Sequence, residues 1–207
     1  MENSKKLIVI IAVFALVMVG AYALYTQLSS RVEHDQLAVL DTQATQPQAP
    51  TGDTSAPEEH DHDHEGKSLA PDFTVYDAQG NEVHLSDYFG KPIVLNFWAS
   101  WCGPCQMEMP DFNEKFLELG DEVQFLMVNM TDGDRETVET ASAFISQKGY
   151  AFPVLFDKTY DAANAYGAYS LPMTVLIDSS GHIVAYATGA IDADTLQRGI
   201  DLIYPAD

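Results

Sequence analysis

Cys102 and Cys105 are the only cysteines in the chain, and Gly103 and Pro104 stand between them. At that spacing two thiols can make and break a disulfide with each other. The pair follows the apolar run Pro92 to Trp98 and opens a helical pattern, which puts it at a strand-to-helix junction. Free backbone N–H groups and the positive end of the helix dipole gather there and favour a thiolate on the first sulfur. Cys102 is therefore the expected nucleophile. Cys105, one turn further in, is expected to be shielded and to resolve a mixed disulfide formed on Cys102.

Other uses of the pair fit less well. A structural zinc site takes about four ligands, and the domain has no second Cys-x-x-Cys or His pair at matching spacing. A purely structural bridge closing so short a loop would restrict the unfolded chain little. Redox work is the better account, and it requires no cofactor or metal.

The elements around the pair must hold it. Ile93 to Trp98 reads as a buried strand leading into the cysteines, and Met109, Phe112, Phe116 and Leu119 recur at helical spacing after them, with Pro110 expected to kink that helix. Upstream, Phe73 to Tyr76 and Val83 to Leu85 flank Asp77 to Asn81 as a hairpin, and Leu85 to Gly90 reads as a short helix or turn. Downstream, strands are expected over Val123 to Met130 and Phe152 to Phe156, helices over Asp134 to Lys148 and up to Tyr166. A hairpin follows over Met173 to Ile177 and Ile183 to Thr188, and a last helix is capped by Asp192. This is an α/β pattern: a mixed central sheet with helices on both faces, an N-terminal hairpin and a central strand-helix insertion.

Ahead of the domain, Leu7 to Tyr25 carries no charge, and about 20 apolar residues span a bilayer. Lys5 and Lys6 precede the run and a mostly acidic stretch follows it, so the positive-inside rule leaves residues 1–6 in the cytoplasm and everything after residue 25 outside. A cleaved secretory signal is the competing reading, with Ala21-Tyr22-Ala23 as its site. The uncleaved anchor is favoured because the apolar run continues past that site. Residues 26–66 are rich in Gln, Thr, Pro, Asp and Glu and read as a disordered acidic linker, with the folded domain spanning 67–207. Within the linker, His60, His62 and His64 alternate with carboxylates; this is a solvated tether or a weak divalent-metal site.

The 207 residues hold 10 Lys and Arg against 31 Asp and Glu, a formal charge of -21. Such a balance argues against nucleic acid as a partner, because phosphate recognition relies on basic patches.

Trp101-Cys102-Gly103-Pro104-Cys105 after Asn96 to Ser100, Pro110 in the following helix, and Leu171-Pro172 before a strand resemble the thioredoxin fold. Ala70-Pro71-Asp72-Phe73, Leu85-Ser86-Asp87 and Gly90-Lys91-Pro92 narrow the resemblance to the TlpA/ResA group of membrane-anchored, outward-facing thiol-disulfide oxidoreductases. It implies a cis peptide before Pro172 facing the cysteines, with Trp101, Gly103, Pro104, Asn96 and Leu171 lining the site. It also implies a monomer that reduces disulfides of client proteins, such as apocytochrome c or a methionine sulfoxide reductase. A transmembrane thiol carrier of the DsbD/CcdA kind would re-reduce it.

Asn96 replaces the buried Asp of soluble thioredoxins, and Glu108 stands where ResA-type proteins carry a Glu after the second cysteine. The resemblance makes Glu108 a proton-transferring group; a solvent-facing carboxylate near a helix start is the plainer reading. Met173 departs from the Thr often found after the cis-proline, which puts the shape of the partner groove in doubt. Two rivals remain. A peroxiredoxin would need Thr or Ser where Ala99 stands and an Arg nearby, and none lies between Arg31 and Arg135. A copper metallochaperone would need a histidine such as His182 beside the thiolates, where a turn residue is the simpler reading.

Overall fold

A computed structural model of the chain describes residues 17–20, 22, 37–40 and 68–205. Residues 17–20 and 22 are helical. Among the described residues no helix is long and apolar enough to cross a membrane. The expected anchor over 7–25 lies mostly outside them, as do His60, His62 and His64 and most of the expected linker.

The domain is built on one eight-stranded mixed sheet in the order β1-β8-β7-β4-β5-β6-β2-β3. Its strands are β1 (Ala38–Val39), β2 (Thr74–Tyr76), β3 (Glu82–His84), β4 (Ile93–Trp98), β5 (Gln124–Asn129), β6 (Val154–Phe156), β7 (Met173–Ile177) and β8 (Ile183–Thr188). β4 lies parallel to β5 and antiparallel to β7, and all six of its residues are buried. A strand covered on both faces favours apolar residues at successive positions, which is why this segment, Asn96 apart, reads as a continuous run rather than an alternation. Its side chains still divide by parity. Val94 and Trp98 pack with Met109 and Phe112 of α1 (Gly103–Leu119), Ala141 of α2 (Val138–Lys148), and Leu196 and Ile200 of α4 (Ala193–Ile203). Ile93, Leu95 and Phe97 face Phe73, Val75, Leu85 and Ala162 and Ala163 of α3 (Asp161–Tyr166). Asn96 shares the α1 side, so the one polar residue of the central strand is aimed at the helix that carries the cysteines.

The local signals account for most boundaries. Asp77 Oδ1 accepts from the amides of Gln79 and Asn81 and closes the β2–β3 turn. Asp192 accepts from Thr195 N–H and caps α4 as expected. α1 runs as one helix across Pro110.

Two expectations are corrected. α2 begins at Val138, not near Asp134, because Thr137 takes the N-cap position and accepts from Thr140 N–H. Asp132 meanwhile closes a separate turn by accepting from the amides of Asp134 and Glu136. Leu37 to Leu40, placed by the sequence in the linker, instead reach the sheet. Ala38 and Val39 pair antiparallel with Tyr186 and Ala185, and Leu40 N–H donates to Val184 O. Their backbone covers the otherwise open edge of β8, a benefit that two exposed residues do not advertise in composition.

Phe112 is fully buried in the same core as Cys105. Phe112→Ala is expected to lower the unfolding free energy by about 3–5 kcal/mol, read as a lower denaturant midpoint at unchanged m. A loss below about 1 kcal/mol would mean that this face of α1 is not packed as described.

Candidate active site

Cys102 and Cys105 are joined in a disulfide at the start of α1, with Cα atoms 5.3 Å apart. Cys102 is the N-cap residue of the helix, and its Sγ accepts from Cys105 N–H at 3.2 Å. Gly103 and Pro104 occupy the first helical positions, where a missing proline N–H costs nothing. The helix start therefore directs backbone donors at the first sulfur, the environment that stabilises a thiolate there once the bond is reduced.

The two sulfurs differ in access. Cys102 lies on the wall of a groove of about 520 Å³ whose lining includes Trp101, Met130, Arg135, Tyr160 and Leu171. Cys105 is fully buried and does not reach it. The Leu171–Pro172 peptide is cis, as the resemblance implied, and Leu171 contributes to the groove. Gly103 and Pro104 line it too, whereas Asn96 lies buried beneath. Met173 opens onto a different depression, beside Leu40, Pro71 and Tyr166, so its departure from the family pattern leaves the Cys102 groove untouched.

Behind the disulfide, Glu108 is only 2% exposed, which excludes the surface-carboxylate reading. It sits one turn beyond Cys105 on the same side of α1. Its Oε1 accepts from Asn96 Nδ2 at 2.9 Å and its Oε2 from Ile191 N–H at 3.0 Å, while Asn96 Nδ2 also donates to Thr174 Oγ1 at 3.1 Å. Burial disfavours the charged form and pushes the Glu108 carboxyl up to about 7, against the smaller opposing effect of the two donated hydrogen bonds. Asn96 is thus no vacancy left by a lost aspartate. It is the donor that holds a carboxylate supplied by the helix.

A second buried carboxylate, Glu136, was missed by sequence reasoning. Oε1 accepts from Ser100 N–H at 2.8 Å and Asn129 Nδ2 at 2.6 Å, and Oε2 from Ser100 Oγ at 2.6 Å. These bonds fasten the 131–137 loop to the residues just ahead of the cysteines. They also place the Arg135 guanidinium 3.8 Å from the Trp101 ring centroid. The sequence places it in the first turn of the helix expected from Asp134, and nothing local marked it as buried.

The rival chemistries lose their geometry here. His182 follows the far end of β7, whose Met173 end is the one beside the site; its backbone N–H is held by Asp178 Oδ1, so it belongs to the β7–β8 turn. Ala99 offers no hydroxyl for a peroxide site, although Arg135 does approach the motif from a distance the sequence did not reveal.

The raised Glu108 carboxyl has a consequence for stability. Between its unfolded value near 4.5 and its folded value of about 7 the native state holds more protons than the unfolded one, so stability falls as pH rises through that window. The loss is expected to be on the order of 3 kcal/mol. In denaturation of the oxidised protein across that range, Glu108→Gln should make the fall clearly shallower, leaving the smaller part due to Asp111 and Asp157, whose carboxyls burial also raises. Parallel wild-type and variant curves would contradict burial of an ionisable Glu108.

A model of the AhpC/TSA family matches residues 67–186. Among curated proteins, thiol-disulfide oxidoreductase ResA from Geobacillus kaustophilus (strain HTA426) is 37% identical over 139 residues, covering 67% of this chain and 78% of that protein. ResA from Bacillus anthracis is 38% identical over 139 residues, covering 66% and 77%. Among solved structures, a DsbF homologue from Corynebacterium diphtheriae superposes with TM-score 0.59 at 26% identity, covering 77% of this chain and 99% of that one. The exposed lipoprotein thioredoxin Etrx1 from Streptococcus pneumoniae strain TIGR4 gives TM-score 0.53 at 34% identity, covering 64% and 100%. The fold is thioredoxin-like, and with similarity extending over most of the folded region the chain belongs to the AhpC/TSA family, as a thiol-disulfide oxidoreductase of the ResA type.

Proposed function

We propose that the chain is a membrane-tethered, outward-facing reductase of protein disulfides that works through Cys102 and Cys105. The observation that carries this reading is the unequal access of the two bonded sulfurs, Cys102 on the groove wall and Cys105 buried one helical turn before Glu108. In the reduced protein the Cys102 thiolate attacks one sulfur of a client disulfide and expels the other as a thiolate, which takes up a proton. Cys105 then gives up its proton, attacks Cys102 Sγ and releases the second client thiol. Two electrons and two protons pass to the client, and the Cys102–Cys105 disulfide re-forms.

Glu108 is the group placed to take the Cys105 proton, because a carboxyl poised near 7 can accept it at neutral pH and return it when the disulfide is next reduced. Gly103 and Pro104 between the cysteines favour the reducing direction, by resemblance to reducing thioredoxins. A transmembrane dithiol carrier of the DsbD/CcdA kind would restore the reduced state. The length and lack of charge of residues 7–25, with Lys5 and Lys6 ahead of them, support the tether and its orientation. Residues 26–36, between the proposed anchor and the sheet-paired Ala38 and Val39, would set how far the domain, acting as a monomer without cofactor, reaches over nearby clients. Apocytochrome c and a methionine sulfoxide reductase are the client classes the resemblance offers.

Cys105→Ser removes the resolving thiol and is expected to accumulate mixed disulfides at Cys102 that run as reductant-sensitive adducts; Cys102→Ser should form none. Adducts of equal abundance in both variants would contradict the assigned order of attack. The rate of client reduction should rise with pH through about 7 in the wild type and lose that inflection in Glu108→Gln. Superimposable pH–rate curves would remove Glu108 from the cycle.

A further inference from the structure

We infer that Arg135 is a specificity determinant of the Cys102 groove, selecting client disulfides that carry a carboxylate side chain beside the attacked cysteine. The inference deepens the reductase reading and rests on it.

Among the described residues Arg135 is the only cation lining the groove. The other basic residues of the described domain are engaged elsewhere: Lys91 donates to Asp121 O, Lys115 pairs with Glu118, Lys148 and Lys158 lie over Phe144 and Tyr76, and Arg198 donates to Thr195. Arg135 stacks on Trp101, the residue next to Cys102. Stacking uses the face of the guanidinium and leaves its N–H donors along the edge, where they can grip a carboxylate. Among the described residues no carboxylate forms an ion pair with it. Asp132, the one carboxylate among the described residues lining the groove, spends Oδ1 on the amides of Glu136 and Asp134 at 2.8 Å each. Those bonds, helped by the Arg135 charge, hold its carboxyl below the usual range, but Asp132 and Arg135 form no ion pair.

The position of this cation is fixed by packing. Glu136, the next residue, is fully buried and bonded to Ser100 and Asn129, so the loop cannot drift away from the cysteines without breaking three hydrogen bonds. A cation held in place beside the nucleophile, with Asp132 as its countercharge on the groove lining, is a local attractive spot on a chain of net charge -21 whose field otherwise repels acids. It therefore sets the register of an acidic client segment across the groove. The aromatic faces of Tyr160 and Tyr169 on the groove lining accommodate the less polar part of such a peptide.

The test uses the reduced full chain and three disulfide-bonded peptides identical except for Glu, Gln or Lys beside the attacked cysteine. Wild type is expected to reduce the Glu peptide about fivefold faster than the Gln peptide at low salt, with the Lys peptide slowest and the spread shrinking as ionic strength rises. Arg135→Gln should bring Glu and Gln peptides to within about twofold, and Arg135→Glu should reverse the order of Glu and Lys. Equal wild-type rates, or an unchanged Glu preference in Arg135→Gln, overturns the inference and leaves the reductase reading standing. Failure of the reduced wild type to act on any of the three peptides overturns the reductase reading and this inference with it.

Discussion

A carboxylate has been taken out of water one helical turn from a dithiol, and much of the domain serves to hold it there. Glu108 is tied to β4 through Asn96 and to the loop ahead of α4 through Ile191 N–H, with Thr174 of β7 steadying the Asn96 amide. Three elements distant in sequence thus converge on one side chain of α1. Burying an unpaired charge is costly, and a carboxyl in that position lowers the cost by holding its proton to higher pH. The same burial that makes Glu108 a burden to stability near neutral pH makes it a usable proton acceptor for Cys105. Stability and chemistry are set against each other at a single residue, as is common where catalytic groups are tuned by their surroundings.

In front of the disulfide a different carboxylate does a structural job. Glu136 meets three donors at short distance and clamps an insertion loop against Ser100, so the groove has one wall from α1, one from Leu171 and one from the 131–137 segment. Only the last of these walls brings charge. The thioredoxin-like frame supplies the dithiol at a helix start, and the insertion supplies the residues that distinguish this groove chemically.

Much of this was legible in the sequence where the cause is local. The cysteine spacing, the apolar run of β4, the Asp77 turn and the Asp192 cap are signals within a few residues of what they specify. The cis Leu171–Pro172 peptide and the position of Glu108 came through resemblance. What sequence reasoning lacked were contacts across the fold: Asn96 reads as a substitution until Glu108 is seen beneath it, and Glu136 reads as an acid in the first turn of a helix until Ser100 is seen above it. Arg135 was counted as too far from Cys102 because only chain distance was visible. The shift of the α2 start to Val138 and the pairing of Ala38 and Val39 with β8 have the same origin. Competing caps and edge pairing are decided by tertiary neighbours, not by the periodicity of the segment itself.

The central claim is that Glu108 is a buried carboxyl poised near neutrality beside Cys105. Its titration can be followed directly through the side-chain carboxyl carbon by NMR on selectively labelled oxidised protein, with the loss of one resonance in Glu108→Gln as the assignment. The account predicts a midpoint of about 7 for Glu108, well above the bulk of the exposed carboxylates. A midpoint near 4.5, the ordinary value for an unburied glutamate, would contradict it.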